Sequence, residues 1–79
     1  MKINELIDIN FEFGQRIKYL RSRQNISQEE LSFRCGINKN YLSDIERGTR
    51  NPTLKVIEKI ALGLNIELSE LFAGVGRKL

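Results

Sequence analysis

The chain contains no histidine and a single cysteine, Cys35. Histidine-based acid–base catalysis and Cys/His dyads are therefore excluded. Neither an intramolecular disulfide nor an ordinary zinc site can form. No apolar run approaches the roughly 20 residues needed to cross a bilayer. The first ten residues mix Asn4, Glu5 and Asp8 into their apolar positions, which does not fit a signal peptide. Carboxylates are present, but no pair falls in an expected cleft and no nucleophile has a base. No enzyme activity, metal or cofactor is expected, and no membrane contact. A disulfide-free chain of this kind is expected in the cytoplasm. There is also no internal repeat and no low-complexity stretch.

What is present is one small folded domain. Of the 79 residues, 41% are apolar and 29% charged, a balance that separates the chain from disordered sequences. A domain this small buries only roughly 60–65% of its unfolded surface, so it is marginal alone and gains from covering a further apolar face. The length leaves no room for a second, ligand-sensing domain, and no small-molecule ligand is expected. The net charge of +3 comes from 13 basic and 10 acidic residues, unevenly spread. Residues 13–26 carry Arg16, Lys18, Arg21 and Arg23 with no acid. A mildly basic domain suits a polyanionic partner but does not identify one.

Helix signals punctuate the chain. Phe13, Ile17 and Leu20 repeat at i, i+4, i+7, with Asn10 as a candidate N-cap and Glu12 at the positive end of the dipole. Ser27-Gln28-Glu29-Glu30 has the form of a capping box, after which Leu31 and Cys35 face inward and Gly36 ends a second helix. Asn38 caps a third helix from Lys39 to about Arg47, closed by Gly48. Asn51-Pro52-Thr53 is a turn followed by a cap, after which Leu54, Ile57, Ala61 and Leu64 mark a fourth, and a short fifth runs over about Leu68–Phe72. The expected fold is a compact all-α five-helix bundle. At the N-terminus, Ile7, Ile9, Phe11 and Phe13 alternate with polar residues as in a strand, whereas Ile3, Leu6 and Ile7 fit a helical turn; both readings stand.

The second helix, glycine turn and third helix satisfy the steric requirements of a helix-turn-helix. Counting from Gln28, Leu31 is fourth, the small Ser32 fifth, Cys35 eighth, Gly36 ninth, Ile37 tenth, Leu42 fifteenth and Ile45 eighteenth. Apolar, small and flexible types occupy each constrained place. The runs Phe13-Gly14-Gln15-Arg16-Ile17, Ser27-Gln28-Glu29-Glu30-Leu31, Tyr41 to Gly48 and Asn51-Pro52-Thr53-Leu54 resemble the Xre/Cro class of lambda-repressor-like DNA-binding domains. Residues 38–51 are most similar to the controller proteins of restriction–modification systems. The resemblance implies a domain over residues 11–74, with the helix-turn-helix at 28–47, an N-terminal extension over 1–10 and a tail over 75–79.

The resemblance also implies roles. Family geometry places the third helix in the major groove. Lys39, Asn40, Ser43 and Asp44 share one helix face. There Lys39 would read guanine, Asn40 adenine, Ser43 either, and Asp44 would accept from cytosine or instead pair with Arg47. Gln28, Tyr41, Arg50, Asn51 and Lys55 are the expected backbone contacts. Arg21 and Glu46 are expected to form a structural ion pair. Leu68, Leu71 and Phe72 are the expected dimer seam, the alternative being that they complete the monomer core. Cys35 reads as a small buried hydrophobe. Phe33 falls on a side of its helix that faces water in the family, and Ile3, Leu6 or Ile7 is expected to cover it. The implied function is a homodimeric regulator of its own operon, acting on a pseudo-palindromic operator as repressor or activator, with RNA polymerase as a further possible partner. The alternatives are a phage-type repressor and an antitoxin-like protein-interaction module.

Overall fold

The computed structural model describes residues 8–76. They form five helices: α1 Ile9–Arg23, α2 Gln28–Cys35, α3 Lys39–Arg47, α4 Leu54–Leu64 and α5 Leu68–Leu71. No strand occurs among the described residues, and no helix there is long and apolar enough to cross a membrane. Ile3, Leu6 and Ile7 lie outside the described residues, and Phe33 is 82% exposed.

Most helix ends follow the local signals. Ser27 Oγ accepts from Glu30 N at 3.0 Å, Asn38 Oδ1 from Asn40 N at 2.7 Å, and Thr53 Oγ1 from Val56 N at 3.2 Å. Gly36 closes α2 at φ +69°, a region where a Cβ is strained. Two ends differ from expectation. The N-cap of α1 is Asp8, whose Oδ1 accepts from Asn10 N at 3.0 Å, so the helix begins inside the stretch expected to be an extension. The alternating Ile9, Phe11 and Phe13 are thus helical: Phe13 is buried, Phe11 falls away from its face and stays half exposed, and Ile9, the first residue of the helix, is half exposed as well. The capping box is only half made: Glu30 Oε2 accepts from Arg34 Nε at 3.0 Å, an i,i+4 pair on the outside of α2.

The core joins Phe13, Ile17 and Leu20 of α1 to Leu31 and Cys35, Leu42 and Ile45, Ile60, Ala61 and Leu64, and Leu71. Leu54 of the expected α4 stripe is exposed at the helix entrance, and Ile60 takes the inward place. Leu71 corrects another expectation. It is fully buried, so it completes the monomer core and is not available to a seam. The reason is that α5 is anchored on α1: Arg16 Nη2 donates to the Glu70 carbonyl at 2.9 Å and to Glu70 Oε2 at 2.6 Å, turning Leu71 inward. Phe72 stacks on Phe13 with ring centroids 5.2 Å apart and keeps an outer edge in solvent.

Two helix crossings are too close for a side chain. A Cβ on Gly14 would lie 2.4 Å from the Glu46 carbonyl oxygen and 2.5 Å from that of Ile45, so α1 meets the backbone of α3 directly. A Cβ on Gly63 would lie 2.4 Å from Cys35 Sγ where α2 meets α4. Burial at that crossing pushes the Cys35 thiol up from about 9 to about 11, against a smaller opposing effect of a Gly63 backbone hydrogen bond.

A glycine-to-alanine change inside a helix ordinarily adds about 1 kcal/mol of stability. Gly14→Ala should do the reverse and remove about 1–3 kcal/mol, because the neighbouring atoms are backbone and cannot swing away. Urea denaturation of the two proteins gives the sign directly. Cys35 should resist a thiol reagent at pH 8 in the folded chain and react at once in urea, since the thiolate is both shielded and disfavoured; equal rates in the two states would contradict its burial.

Candidate nucleic-acid interface

The helix-turn-helix is held to α1 by one buried carboxylate. Glu46, at 0% exposure near the end of α3, accepts from Arg21 Nε through Oε2 and from Arg21 Nη2 through Oε1, both at 3.0 Å. Its Oε1 also accepts from Gln28 Nε2 at 2.9 Å, and Arg21 Nη1 donates to the Ile26 carbonyl at 3.0 Å. One fork-to-fork ion pair therefore connects α1, the loop before α2, the first residue of α2 and the last turn of α3. The Gln28 branch was not legible from helix periodicity, because the two residues are 18 apart and meet only across the turn.

With its apolar face in the core, α3 presents Lys39 and Asn40 to solvent. Neither makes a side-chain hydrogen bond among the described residues. Ser43 and Asp44 lie one turn further along, and both are engaged by Arg47. Arg47 Nη1 donates to Ser43 Oγ at 2.8 Å, and Arg47 Nη2 pairs with Asp44 Oδ1. Asp44 Oδ2 lies 3.5 Å from Arg50 Nε. The i,i+3 alternative for Asp44 and Arg47 thus forms in the free protein, and the carboxylate expected to accept from a cytosine already faces two arginines.

The remaining candidates surround this face. Tyr41 is half-buried against the core, and the Arg50 guanidinium carbon stands 4.9 Å above its ring centroid. That stack was missed in the sequence, since Arg50 belongs to an irregular loop with no periodicity to aim it. Asn51 accepts from the Asn10 side chain, which joins the loop after α3 to the start of α1. Lys55 is exposed in the first turn of α4. Gln28 stands at the N-terminus of α2, where unpaired amides and the helix dipole favour an anion. Lys39, Arg47, Arg50 and Lys55 supply exposed positive charge around a polar helix face, while Leu68 and Phe72, 41% and 38% exposed, lie at the far end of the chain. Such an arrangement can offer bidentate donors to base edges and cations to phosphates.

Removing one partner of the Glu46 network leaves the other uncompensated. Glu46→Ala should lower unfolding free energy by about 3–5 kcal/mol, and Arg21→Met should be at least as damaging because the carboxylate it abandons is wholly buried. Urea denaturation midpoints check both; a loss of ligand affinity at an unchanged melting temperature would contradict the structural role.

Comparison with known proteins agrees with this geometry. A helix-turn-helix family model matches residues 17–71. The control protein C.BamHI of Bacillus amyloliquefaciens is 46% identical over 65 residues, 81% of this chain and 80% of its own. The crystal structure of the restriction–modification controller protein C.AhdI from Aeromonas hydrophila superimposes with a TM-score of 0.78 at 44% identity, covering 80% of this chain and 96% of that one. A tetramer of the controller C.Esp1396I in complex with its natural 35-base-pair operator superimposes with a TM-score of 0.78 at 31% identity, covering 82% and 86%. The chain belongs to the helix-turn-helix family and, within it, to the restriction–modification controller proteins.

Proposed function

We propose that the chain is a transcriptional regulator that binds double-stranded operator DNA as a homodimer and controls its own restriction–modification operon. The observation that carries this reading is the free polar face of α3, Lys39 and Asn40, held rigidly by the Arg21–Glu46–Gln28 network. Pre-organised donors on a fixed helix suit base readout, because little side-chain and backbone freedom remains to be lost on binding. Lys39 would donate to guanine O6 and N7, Asn40 would pair with adenine, and Ser43 would contact either. Gln28 would reach a phosphate with the amide hydrogen that Glu46 does not take, which has no acceptor among the described residues. Asn51, Tyr41, Arg50 and Lys55 complete a rim of backbone contacts. C.Esp1396I, a controller of the same fold, is bound to an operator, which supports the DNA reading for this chain.

The proposed seam is apolar and lies along α4 and α5. Leu54 and Leu68 border one open groove there, with Lys55 and Glu58 at its rim, and Pro52, Ile57 and Phe72 line another. Leu71 has no part in it. Two copies joined across this side as a symmetric dimer would read half-sites about 34 Å apart, one turn of DNA, which makes the operator a pseudo-palindrome.

Selection of bound duplexes from a random library, at two salt concentrations, tests the reading. The expected result is a pseudo-palindrome with half-sites about 10 base pairs apart; salt-sensitive binding without any enriched sequence would overturn it. Lys39→Ala and Asn40→Ala should each cost about 1–3 kcal/mol on the selected site and relax preference at one position per half-site. Leu68→Glu should shift sedimentation from dimer to monomer with the fold retained, as Leu68 is outside the core.

A further inference from the structure

Asp44 is out of place on a phosphate-facing surface. It sits in the last turn of α3, where an acid opposes the helix dipole. Its surroundings do. One carboxylate oxygen pairs with Arg47 and the other lies 3.5 Å from Arg50 Nε. Arg47 also reaches Ser43, and Arg50 is laid over Tyr41. The backbone is tied at the same residue, because Thr49 N and Thr49 Oγ1 donate to the Asp44 carbonyl at 3.0 and 3.1 Å. Four side chains of the recognition face are thus organised around a single carboxylate, while the Arg47 and Arg50 side chains each stay more than half exposed.

We propose that Asp44 is a specificity-determining positioning residue: it holds Arg47 and Arg50 in place and competes for them with non-cognate DNA, and it does not itself read a base. The proposal rests on the DNA-binding reading above. Sequence-independent affinity grows with the number of cations that can take a phosphate and release its counterions. A carboxylate between two arginines withdraws about one such cation from that count. On random DNA, phosphates must win an arginine from Asp44. On the operator, a guanine edge or a correctly placed phosphate meets a guanidinium already oriented by the carboxylate and, for Arg50, by the Tyr41 ring. Affinity for any duplex is lowered, and the difference between right and wrong duplexes widens.

The test compares the full-length chain with Asp44→Asn on the selected operator and on a scrambled duplex of equal length, over a series of salt concentrations. Asparagine keeps the size and removes the charge, and a melting curve confirms the fold; if that variant melts early, Asp44→Ser makes the same comparison. The expected result is binding to the scrambled duplex about five- to tenfold tighter, with the slope of log K against log salt steeper by about one unit, so that the operator preference narrows. In an Arg47→Gln, Arg50→Gln background the same change should have no effect on scrambled DNA. Weaker operator binding with unchanged affinity and slope on scrambled DNA would make Asp44 a base contact and overturn the proposal. So would identical behaviour of variant and parent on both duplexes. A parent chain that enriches no operator at all would instead overturn the DNA-binding reading itself, and Asp44 with it.

Discussion

Everything that faces outward on α3 depends on the charge buried behind it. Glu46 is wholly enclosed, and a carboxylate in that position is tolerable only because Arg21 meets both of its oxygens and Gln28 adds a third donor. The three donors come from two other elements, so the ion pair fixes the angle between α2 and α3 and the seat of both on α1. An apolar pair could fill the same space with similar stability, but it would not be directional. Hydrogen bonds with fork geometry set orientation, and a helix that reads DNA needs its orientation set.

Backbone contact does the rest of that work. Gly14 lets α1 lie against the carbonyls of Ile45 and Glu46, so the end of α3 is pressed on a rigid helix with no intervening side chain. The same economy brings α2 against α4 at Gly63, with Cys35 enclosed between them as an inert thiol. On the solvent side the order is continued by side chains. Asp44 gathers Arg47 and Arg50, and the Tyr41 ring carries the second of these. The buried carboxylate thus positions the helix, and the partly exposed one meets Arg47 on it and Arg50 in the loop beyond.

Helix ends were legible because caps are local chemistry. Ser27, Asn38 and Thr53 each accept from an amide two or three residues on, and Gly36 and Gly48 adopt the left-handed turn that their lack of a Cβ favours. The start of α1 was not, since Ile9, Phe11 and Phe13 carry a period of two yet fall in a helix that buries Phe13 and leaves the other two half exposed. Leu71 was misplaced for a related reason. Three apolar residues in one helical turn do not say which of them points inward, and the answer came from Arg16 pinning Glu70 some 54 residues away in sequence.

The sequence by itself determined the helix order, the helix-turn-helix register from Leu31 to Ile45, and the set of polar residues on one side of α3, because spacing along a helix decides which residues share a face. Only the tertiary structure decided which groups those residues meet. Gln28 on Glu46, Arg50 over Tyr41 and beside Asp44, Asn10 on Asn51 and Gly14 against the α3 carbonyls all join elements or loops that no periodicity relates. Contacts of that kind are products of how close two helices approach and how a loop is aimed, and those distances exist only once the core has closed.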